Sequence, residues 1–432
     1  MVEVGKFTLE SLTTGMYSDP RIVYREYIQN SVDSIENAVA EGLMSNEDAY
    51  IKVFIDAENG CISIIDNGKG ISVARATNVL LSIGKSTKRQ DANRGFRGIG
   101  RLGGLSYCER LSFTTSVQGE DVATRIIFDC KLLKSLLSPD HEEELDLQSV
   151  IERITEVEEI DADKDDHFFR VDMDEVDSSS ELLDLDEIKQ YLSEVAPVPY
   201  DERHFVVAPE IKRFLNEHDY TLTEFKIFIG YDEDHLKQVH KPNRYRFRSD
   251  RNQRTEDVIT EVVTFSIDLD STSSLLGWYG RCNWNGTLSD NGLLGMRMRL
   301  GNILIGDRRT MDVMFKEPRF NGWVQGEIFV NTTGLIPNAR RDDFEQNEVY
   351  YQMIEKLKAR VGDVITREIR EASKTRNNPD ARLLREVTRV TEKVDKMVDE
   401  GLYSQKDKEQ LVEELRDAKK THQNFSKVST IG

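Results

Sequence analysis

The first residues that could do chemistry lie in one short segment, REYIQNSVDSI. A helical spacing places Glu26, Asn30 and Asp33 within an arc of about 60° on one face. A carboxylate and a carboxamide one turn apart can position a water molecule and ligate Mg²⁺, because this ion prefers hard oxygen donors. The same spacing also fits an ordinary polar face opposite an apolar stripe. That stripe consists of Ile28, Val32, Ile35 and Val39.

The second segment is IIDNGKGI, in which a β-rich run ends at Asp66 and then passes Gly68 and Gly70. A buried aspartate at the end of a strand can accept a hydrogen bond from the amino group of adenine, and glycines let the backbone approach the base closely. Asn67-Gly68 is also a strong hairpin-turn signal by itself. The segment therefore predicts either a base-binding turn or a plain hairpin.

The third segment is a glycine-rich stretch in which Gly95, Gly98 and Gly100 have GxxGxG spacing. If such a stretch opens a helix, its backbone N–H groups and the positive helix end can bind polyphosphate, and Lys85 or Lys88 can add charge. A dinucleotide-binding βαβ unit is excluded, since the preceding residues form a polar, basic stretch rather than a strand.

These segments belong to a region that mixes helical stretches with short β-rich runs such as IKVFI and CISII, which predicts an α/β layer domain. Asp19 and Pro20 predict the N-cap and the first turn of the helix that carries Glu26. Residues 131–166 are acidic and poor in apolar side chains, which is typical of an insertion, a mobile loop or a solvated acidic face. The first domain is thus predicted at 1–184.

Helical and β signals alternate again over 185–375, which predicts a second α/β domain. The remaining residues, 376–432, predict a helical hairpin or coiled-coil tail, in which a capping box at Ser404 and Asp407 restarts the helix. Its first half has the seam of a short coiled coil, which fits packing on the chain's own domain as well as dimerisation. The seam residues are Leu383, Val387, Val390, Val394 and Met397.

The 432 residues carry a formal net charge of −20, which argues against a nucleic-acid surface spread over the molecule, although a local basic groove stays open. Four cysteines are scattered without a CxxC pair, which indicates neither a zinc site nor a disulfide framework and favours a reducing cytoplasm. The sequence predicts no secretion signal and no membrane anchor.

Taken in order, the three segments resemble the signature boxes of the GHKL ATPases, a superfamily that includes gyrase B, heat shock protein 90 chaperones, sensor histidine kinases and MutL, with MORC proteins as relatives. REYIQNSVDSI and IGKSTK look most like the heat shock protein 90 branch, while GFRG is also similar to MutL. The resemblance implies an α+β protein: a Bergerat-type α/β sandwich ATPase domain, a middle or transducer domain and a helical C-terminal segment. It also implies ATP and Mg²⁺ as cofactors.

A further likeness lies downstream, in GLIPNARRDDFEQNEVYYQMIEKL. It resembles the middle-domain stretch in which those chaperones present an arginine to the γ-phosphate of ATP. Asn338 falls on the family asparagine and Arg341 on that arginine. The alternative for Arg341 is an ordinary surface charge beside Arg340, Asp342 and Asp343.

One departure concerns the last strand of the ATP domain, where the family usually has a Gly-Thr pair. This chain has His167-Phe168-Phe169 instead. The hydrogen bond that the family threonine makes beside adenine is therefore in question, and Thr124 or another hydroxyl could replace it.

The resemblance implies a role for each predicted site residue. Glu26 would be the general base, Asn30 would hold Mg²⁺, Asp66 would recognise adenine, Arg341 would arrive from the second domain, and residues 84–104 would close as a lid. Further nucleotide contacts are expected from Asp33, Gly68, Gly70, Lys85, Gly95, Gly98 and Gly100.

The function that follows is an ATP-binding, slowly hydrolysing switch that dimerises and acts on a client, with protein favoured over DNA by the acidic balance. A non-hydrolysing nucleotide-binding scaffold in a defence or signalling assembly is the alternative. Histidine phosphotransfer is disfavoured, because none of the seven histidines has the setting of a phospho-acceptor on a dimerisation helix. The tail at 376–432 is short for the complete C-terminal dimer domain of a chaperone.

Overall fold

The computed structural model describes residues 19–82, 100–138, 143, 145–249, 255–270, 273–332, 334–338 and 340–377. The coiled-coil seam and capping box predicted in the tail lie outside these residues. Within them, helices and sheets alternate in two layered units, so the predicted α+β class is confirmed. Among the described residues, no helix combines the length and apolar character needed to cross a bilayer.

Helix α1 spans Ile22–Ala40 and contains the whole REYIQNSVDSI segment, as predicted. Its start differs from the prediction, because Arg21 rather than Asp19 is the residue before the first helical turn. Asp19 still caps the chain: its Oδ1 accepts a hydrogen bond from the backbone N–H of Arg21 at 2.9 Å. The aspartate therefore closes a turn that leads directly into the helix at Ile22.

The first sheet has eight strands in the order β5-β4-β3-β6-β2-β1-β7-β8. β1 and β2 contain the two predicted runs and pair as an antiparallel hairpin, whereas β7 pairs parallel to β1. The strands are β1 Ile51–Asp56, β2 Cys61–Asp66, β3 Arg110–Ser116, β4 Val122–Asp129, β5 Thr155–Asp161, β6 Phe168–Asp174, β7 Ile227–Gly230 and β8 Lys237–Gln238.

Within the described part of the chain, four further helices accompany this sheet, and their apolar residues share one core with it and with α1. From α1, Tyr24, Ile28, Val32 and Ile35 are buried in that core, so the stripe seen in the sequence is the face that packs. The helices are α2 Val73–Leu81, α3 Cys130–Leu137, α4 Leu147–Ile154 and α5 Leu185–Val195, and short 3₁₀ helices lie at Gly100–Ser106 and Glu181–Leu183.

The structure differs from the sequence analysis in the acidic segment 131–166. Instead of a mobile loop, this segment contains most of α3, all of α4 and the edge strand β5. Leu133, Val150 and Ile154 are buried in the first core, because the few apolar residues recur at helical spacing. β5 carries four acidic residues, of which Glu156, Glu159 and Asp161 are exposed and Glu158 is half-buried.

The first core also extends past the domain boundary predicted at residue 184. Ile188 of α5, Ile227 of β7 and Val239 just after β8 are members of this core, and β7 completes the sheet beside β1. Nothing in the local pattern of a four-residue strand says which of two neighbouring sheets it will join.

The second unit is built on a five-stranded sheet in the order β11-β12-β15-β13-β14, with a two-stranded β9–β10 ladder beside it. Its core is centred on Trp278 of β12, which is fully buried. The strands are β9 Arg246–Ser249, β10 Thr255–Val258, β11 Glu261–Asp268, β12 Ser274–Arg281, β13 Gly295–Leu300, β14 Ile303–Ile305 and β15 Gln325–Asn331. The helices are α6 Ala208–Glu217, α7 Glu348–Leu357 and α8 Asp363–Asn377, with a π-helical segment at Lys358–Gly362 between the last two.

A buried group of charges joins the two units. The carboxylate of Glu327 accepts hydrogen bonds from Lys241 Nζ at 3.0 and 3.1 Å, and also from Arg299 and Tyr200. Burial alone would raise the pKa of Glu327, but the two cations overcome it and lower that pKa to about 2. Arg299 also donates to the backbone oxygen of Glu194 in the last turn of α5, at 3.1 Å. The second sheet therefore holds the end of a helix from the first unit.

Replacing Glu327 with glutamine should leave two buried cations without their counter-charge. We expect the free energy of unfolding of the second unit to fall by about 3–5 kcal/mol, the usual cost of breaking a buried ion pair on one side. Urea unfolding followed by tryptophan fluorescence measures this, because Trp278 lies beside the cluster. Glu261→Gln, at a side chain that is 58% exposed in the same sheet, is the control and should change little. Equal stabilities of the two variants would contradict the prediction.

Candidate functional site

The first half of the site is the carboxylate of Glu26, near the start of α1. Glu26 is buried, and Gly100 lies so close that a Cβ at position 100 would collide with its carboxylate. The next residue, Tyr27, fixes this approach: its hydroxyl accepts from the N–H of Gly104 and donates to the backbone oxygen of Arg101, both at 3.1 Å. The end of the glycine-rich segment is thus fastened to the helix that carries the acid.

The loop that contains Arg341 reaches the same carboxylate from the second unit. Arg341 Nε lies 4.0 Å from Glu26 Oε1, and both side chains are only 11% exposed. The backbone of Arg341 has a φ of 56°, an uncommon conformation for a residue with a side chain. Its carbonyl accepts from the N–H of Gly306 at 2.8 Å, which anchors the loop to the end of β14. A guanidinium is therefore held against a nearly buried acid.

Arg25 connects the same loop to α1 a second time. Its Nη2 donates to the backbone oxygen of Arg340 at 2.7 Å, across 315 residues of sequence, and its Nη1 lies 3.5 Å from that of Arg341. Arg25 is itself buried. Two successive residues of α1 thus contact this loop. Arg25 binds the backbone of the loop, and Glu26 faces the side chain of Arg341.

The second half of the site is Asp66, at the end of β2. Asp66 is almost fully buried, and its Oδ1 accepts from the N–H of Gly68 at 2.9 Å. Burial raises its pKa to about 7, while hydrogen bonds from Ser31, Gly68 and Ser34 oppose the rise. A carboxyl group in this state can accept a hydrogen bond from a ligand and loses its proton readily when it does.

The turn after Asp66 is packed between α1 and β3. Gly68 has no room for a Cβ because of Ser34 Oγ, and the N–H of Lys69 donates to the backbone oxygen of Ser34 at 3.2 Å. Gly70 has a φ of 69°, and a Cβ there would collide with the backbone oxygen of Ser116. Both glycines of the predicted motif are thus required by close backbone packing.

Asn30 and Asp33 lie on α1 between these two halves. Asp33 is buried, whereas Asn30 is half-buried and its side chain makes no hydrogen bond to another residue that the structure describes. Nor do the described residues include a group of three or more His, Cys, Asp or Glu side chains that could hold a metal. The amide oxygen of Asn30 is a hard donor, so this position fits a magnesium ion that keeps most of its ligands from water and phosphate.

Three predicted nucleotide contacts, Lys85, Gly95 and Gly98, lie outside the described residues, as does most of the predicted lid. Asn338 is described, and its Nδ2 donates to Asp342 Oδ1 at 2.5 Å, which braces the loop of Arg341 from within.

Thr124 is placed away from Asp66. In the sheet, Asp66 pairs with Phe169 of β6, β6 pairs with β3, and Thr124 of β4 pairs with Thr115 of β3. Two strands therefore separate Thr124 from Asp66, and neighbouring strands are about 4.8 Å apart. Thr124 cannot take the place of a hydroxyl directly beside Asp66.

Sequence reasoning missed Ser31 and Ser34 as partners of Asp66, and Arg25 as a contact of the distant loop. The two serines were visible as short polar residues three apart on the helix, in the same segment as Asn30. The contact of Arg25 had no local signal, because its partners are backbone carbonyls more than 300 residues away.

Residues 17–162 match the protein family described as "Histidine kinase-, DNA gyrase B-, and HSP90-like ATPase". The chain is 36% identical over 84 residues to the chaperone protein HtpG of Acinetobacter baylyi, an alignment that covers 18% of this chain and 13% of the relative. It is 30% identical over 129 residues to HtpG of Nitrosomonas europaea, covering 26% and 20%. The chain therefore spans a fifth or less of the length of these curated relatives.

Replacing Arg25 with alanine should loosen the loop of Arg341. We expect faster hydrogen exchange at the amides of Gly306 and Asn338, because both bonds depend on the docked loop. Exchange mass spectrometry of peptides that cover 300–345 measures this. Arg21→Ala is the matched control: Arg21 lies one turn earlier and pairs with Asp19 instead. The same exchange rates in both variants would contradict the prediction.

Proposed function

Residues 17–162 form a domain of the GHKL superfamily, of the heat shock protein 90-like type, and from this premise we propose that the chain is an ATP-binding, slowly hydrolysing conformational switch. The observation that carries the proposal is the approach of Arg341 to Glu26. An acid and a guanidinium from two different units meet within 4.0 Å near the start of a helix whose middle turns contact Asp66.

The geometry of α1 fits a nucleoside triphosphate laid along it. Glu26 and Ser34 are eight residues apart, which corresponds to about 12 Å along a helix. This is comparable to the reach of ATP from its base to its terminal phosphate. In this arrangement Asp66, held by Ser31 and Ser34, accepts a hydrogen bond from the adenine amino group, and the γ-phosphate lies toward Glu26.

At the phosphate end, Glu26 orients the attacking water and accepts its proton. Arg341 donates to the γ-phosphate and offsets the charge that develops during transfer, an effect worth about 10³ to 10⁵ in rate in related chemistry. Because Arg341 belongs to the second unit, this contribution depends on how the two units dock. Hydrolysis is then slow unless the loop of Arg341 is seated on Arg25 and Glu26.

Asn30 lies between the two ends and would hold Mg²⁺ through its amide oxygen. The ion would supply positive charge that offsets the charge of the phosphates. The glycine-rich segment completes the phosphate side: Gly100 contacts the acid, and Lys85, Gly95 and Gly98 are proposed to cover the nucleotide as part of a lid.

The switch would act as a homodimer whose assembly depends on ATP, and a protein client fits its acidic surface better than DNA does. HtpG, to which the chain is similar, is named as a chaperone. A cytoplasmic location, suggested by the scattered cysteines, stays a prediction.

Glu26→Gln and Arg341→Ala test the proposed roles directly. Each should lower kcat for ATP hydrolysis by at least about 10²-fold, since the glutamine lacks the base and the alanine lacks the charge. The dissociation constant of a non-hydrolysable ATP analogue should change little for Glu26→Gln. Coupled phosphate release and calorimetric titration measure the two quantities.

Glu233→Gln, at an exposed glutamate near β8, is the control and should behave like the wild type. If the wild type hydrolyses ATP at a clearly measurable rate and Glu26→Gln has the same rate, Glu26 is not the general base. A wild type that binds ATP but turns over no faster than Glu26→Gln would instead identify a non-hydrolysing nucleotide switch.

Binding of ATP should release a proton from Asp66. Its pKa of about 7 leaves a substantial protonated fraction at neutral pH, and the adenine amino group favours the charged carboxylate. Affinity should therefore rise as the pH increases from about 6 to 8. Titration calorimetry in buffers of different ionisation enthalpy measures the released protons. Asp66→Asn should remove this release, and an unchanged release in that variant would show that the protons come from elsewhere.

A further inference from the structure

His167 contacts the turn that follows Asp66. It lies immediately before β6, is half-buried, and its Nδ1 is 2.8 Å from the backbone oxygen of Gly68. A carbonyl oxygen can only accept a hydrogen bond, so Nδ1 must carry the proton. The imidazole therefore donates to the same residue whose N–H donates to Asp66 Oδ1.

Gly68 is held from three directions. Its N–H binds Asp66 and its carbonyl binds His167, while Ser34 of α1 occupies the space beside its Cα. Because these two groups flank one Cα, a displacement of Gly68 would disturb the bonds to Asp66 and to His167 together. The position of Asp66 Oδ1 is consequently coupled to the imidazole.

The two strands that flank Asp66 place no hydroxyl directly beside it. The residue beside Asp66 in the sheet is Phe169, which has none. Thr115, one strand further, uses its hydroxyl to accept from the N–H of Ile71 at 2.8 Å and to donate to the backbone oxygen of Phe168 at 3.0 Å. Thr124 lies beyond it. At this edge of the site, the imidazole is the side chain that binds the carbonyl of Gly68.

We propose that His167 is a positioning residue for recognition of the adenine base: it fixes the turn at Gly68 and thereby aims Asp66 at the base. The inference rests on the proposed binding of ATP and deepens it. It also gives the chain a way to position Asp66 although Phe169, its neighbour in the sheet, has no hydroxyl.

Three variants separate the effect of the hydrogen bond to Gly68 from the effect of the volume of the His167 side chain. His167→Ala removes the donor. His167→Asn keeps one, because the amide nitrogen of asparagine occupies nearly the same place as Nδ1, whereas the amide nitrogen of His167→Gln extends to the place of Nε2. We expect alanine and glutamine to weaken binding of a non-hydrolysable ATP analogue about tenfold, the effect of one lost hydrogen bond. Asparagine should restore binding to within about twofold of the wild type.

The readout that a general structural role would not move is base discrimination. The dissociation constant of the matching GTP analogue should stay the same in all three variants. The ratio of the GTP to the ATP dissociation constant should therefore fall in His167→Ala and His167→Gln, but not in His167→Asn. Saturating kcat should also stay close to wild type, since His167 lies away from Glu26. Equal losses of affinity for the ATP and GTP analogues would overturn the inference. So would equal affinities for the ATP analogue in His167→Asn and His167→Gln.

A measurement without nucleotide keeps the two proposals distinguishable. In the free protein, His167→Ala and His167→Gln should speed hydrogen exchange at the amides of Gly68 and Lys69, and His167→Asn should not. Unchanged exchange in all three overturns the inference alone. A wild type that binds no ATP analogue overturns the proposed function, and the role in base recognition with it, even if the exchange pattern appears.

Discussion

The contact between Glu26 and Arg341 is the constraint on which the arrangement depends. A carboxylate that is almost out of water needs a positive group or hydrogen-bond donors beside it. Arg341 supplies that group from the second unit, and Arg25 holds the backbone of the loop that presents it. Because Arg25 and Glu26 are successive residues of one helix, any motion of the loop relative to α1 alters both contacts together.

The rigidity of α1 extends this coupling to the other end of the site. The helix is buried along its apolar face, so its polar residues keep fixed spacings. Ser31 and Ser34 then hold Asp66 at a set distance from Glu26. The ion cluster around Glu327 holds the C-terminal end of α5 and so limits how the second unit can move. A nucleotide bound between Asp66 and Glu26, as proposed, would thus sense the docking of the two units.

Much of this site was predictable from sequence because its residues lie in short local patterns. The helical face of Glu26, Asn30 and Asp33 follows from the 3.6-residue period, and the turn after Asp66 follows from its glycines. Arg341 could be found only through resemblance, since its partner is remote in the chain. The membership of β7 in the first sheet depends on tertiary packing that local patterns do not encode. The helices within 131–166 did have a local signal, the helical spacing of their few apolar residues, but the acidic composition of the segment obscured it. The hydrogen bond from His167 to Gly68 joins a side chain to a backbone oxygen, so it imposes no pattern of residue types on the sequence.

A crystal structure of the protein with Mg²⁺ and a non-hydrolysable ATP analogue tests the central claim most directly. The account predicts the adenine amino group within hydrogen-bond distance of Asp66, the magnesium at Asn30, and the γ-phosphate between Glu26 and Arg341. A nucleotide bound elsewhere, or one seated on Asp66 with its γ-phosphate remote from both Glu26 and Arg341, would contradict it.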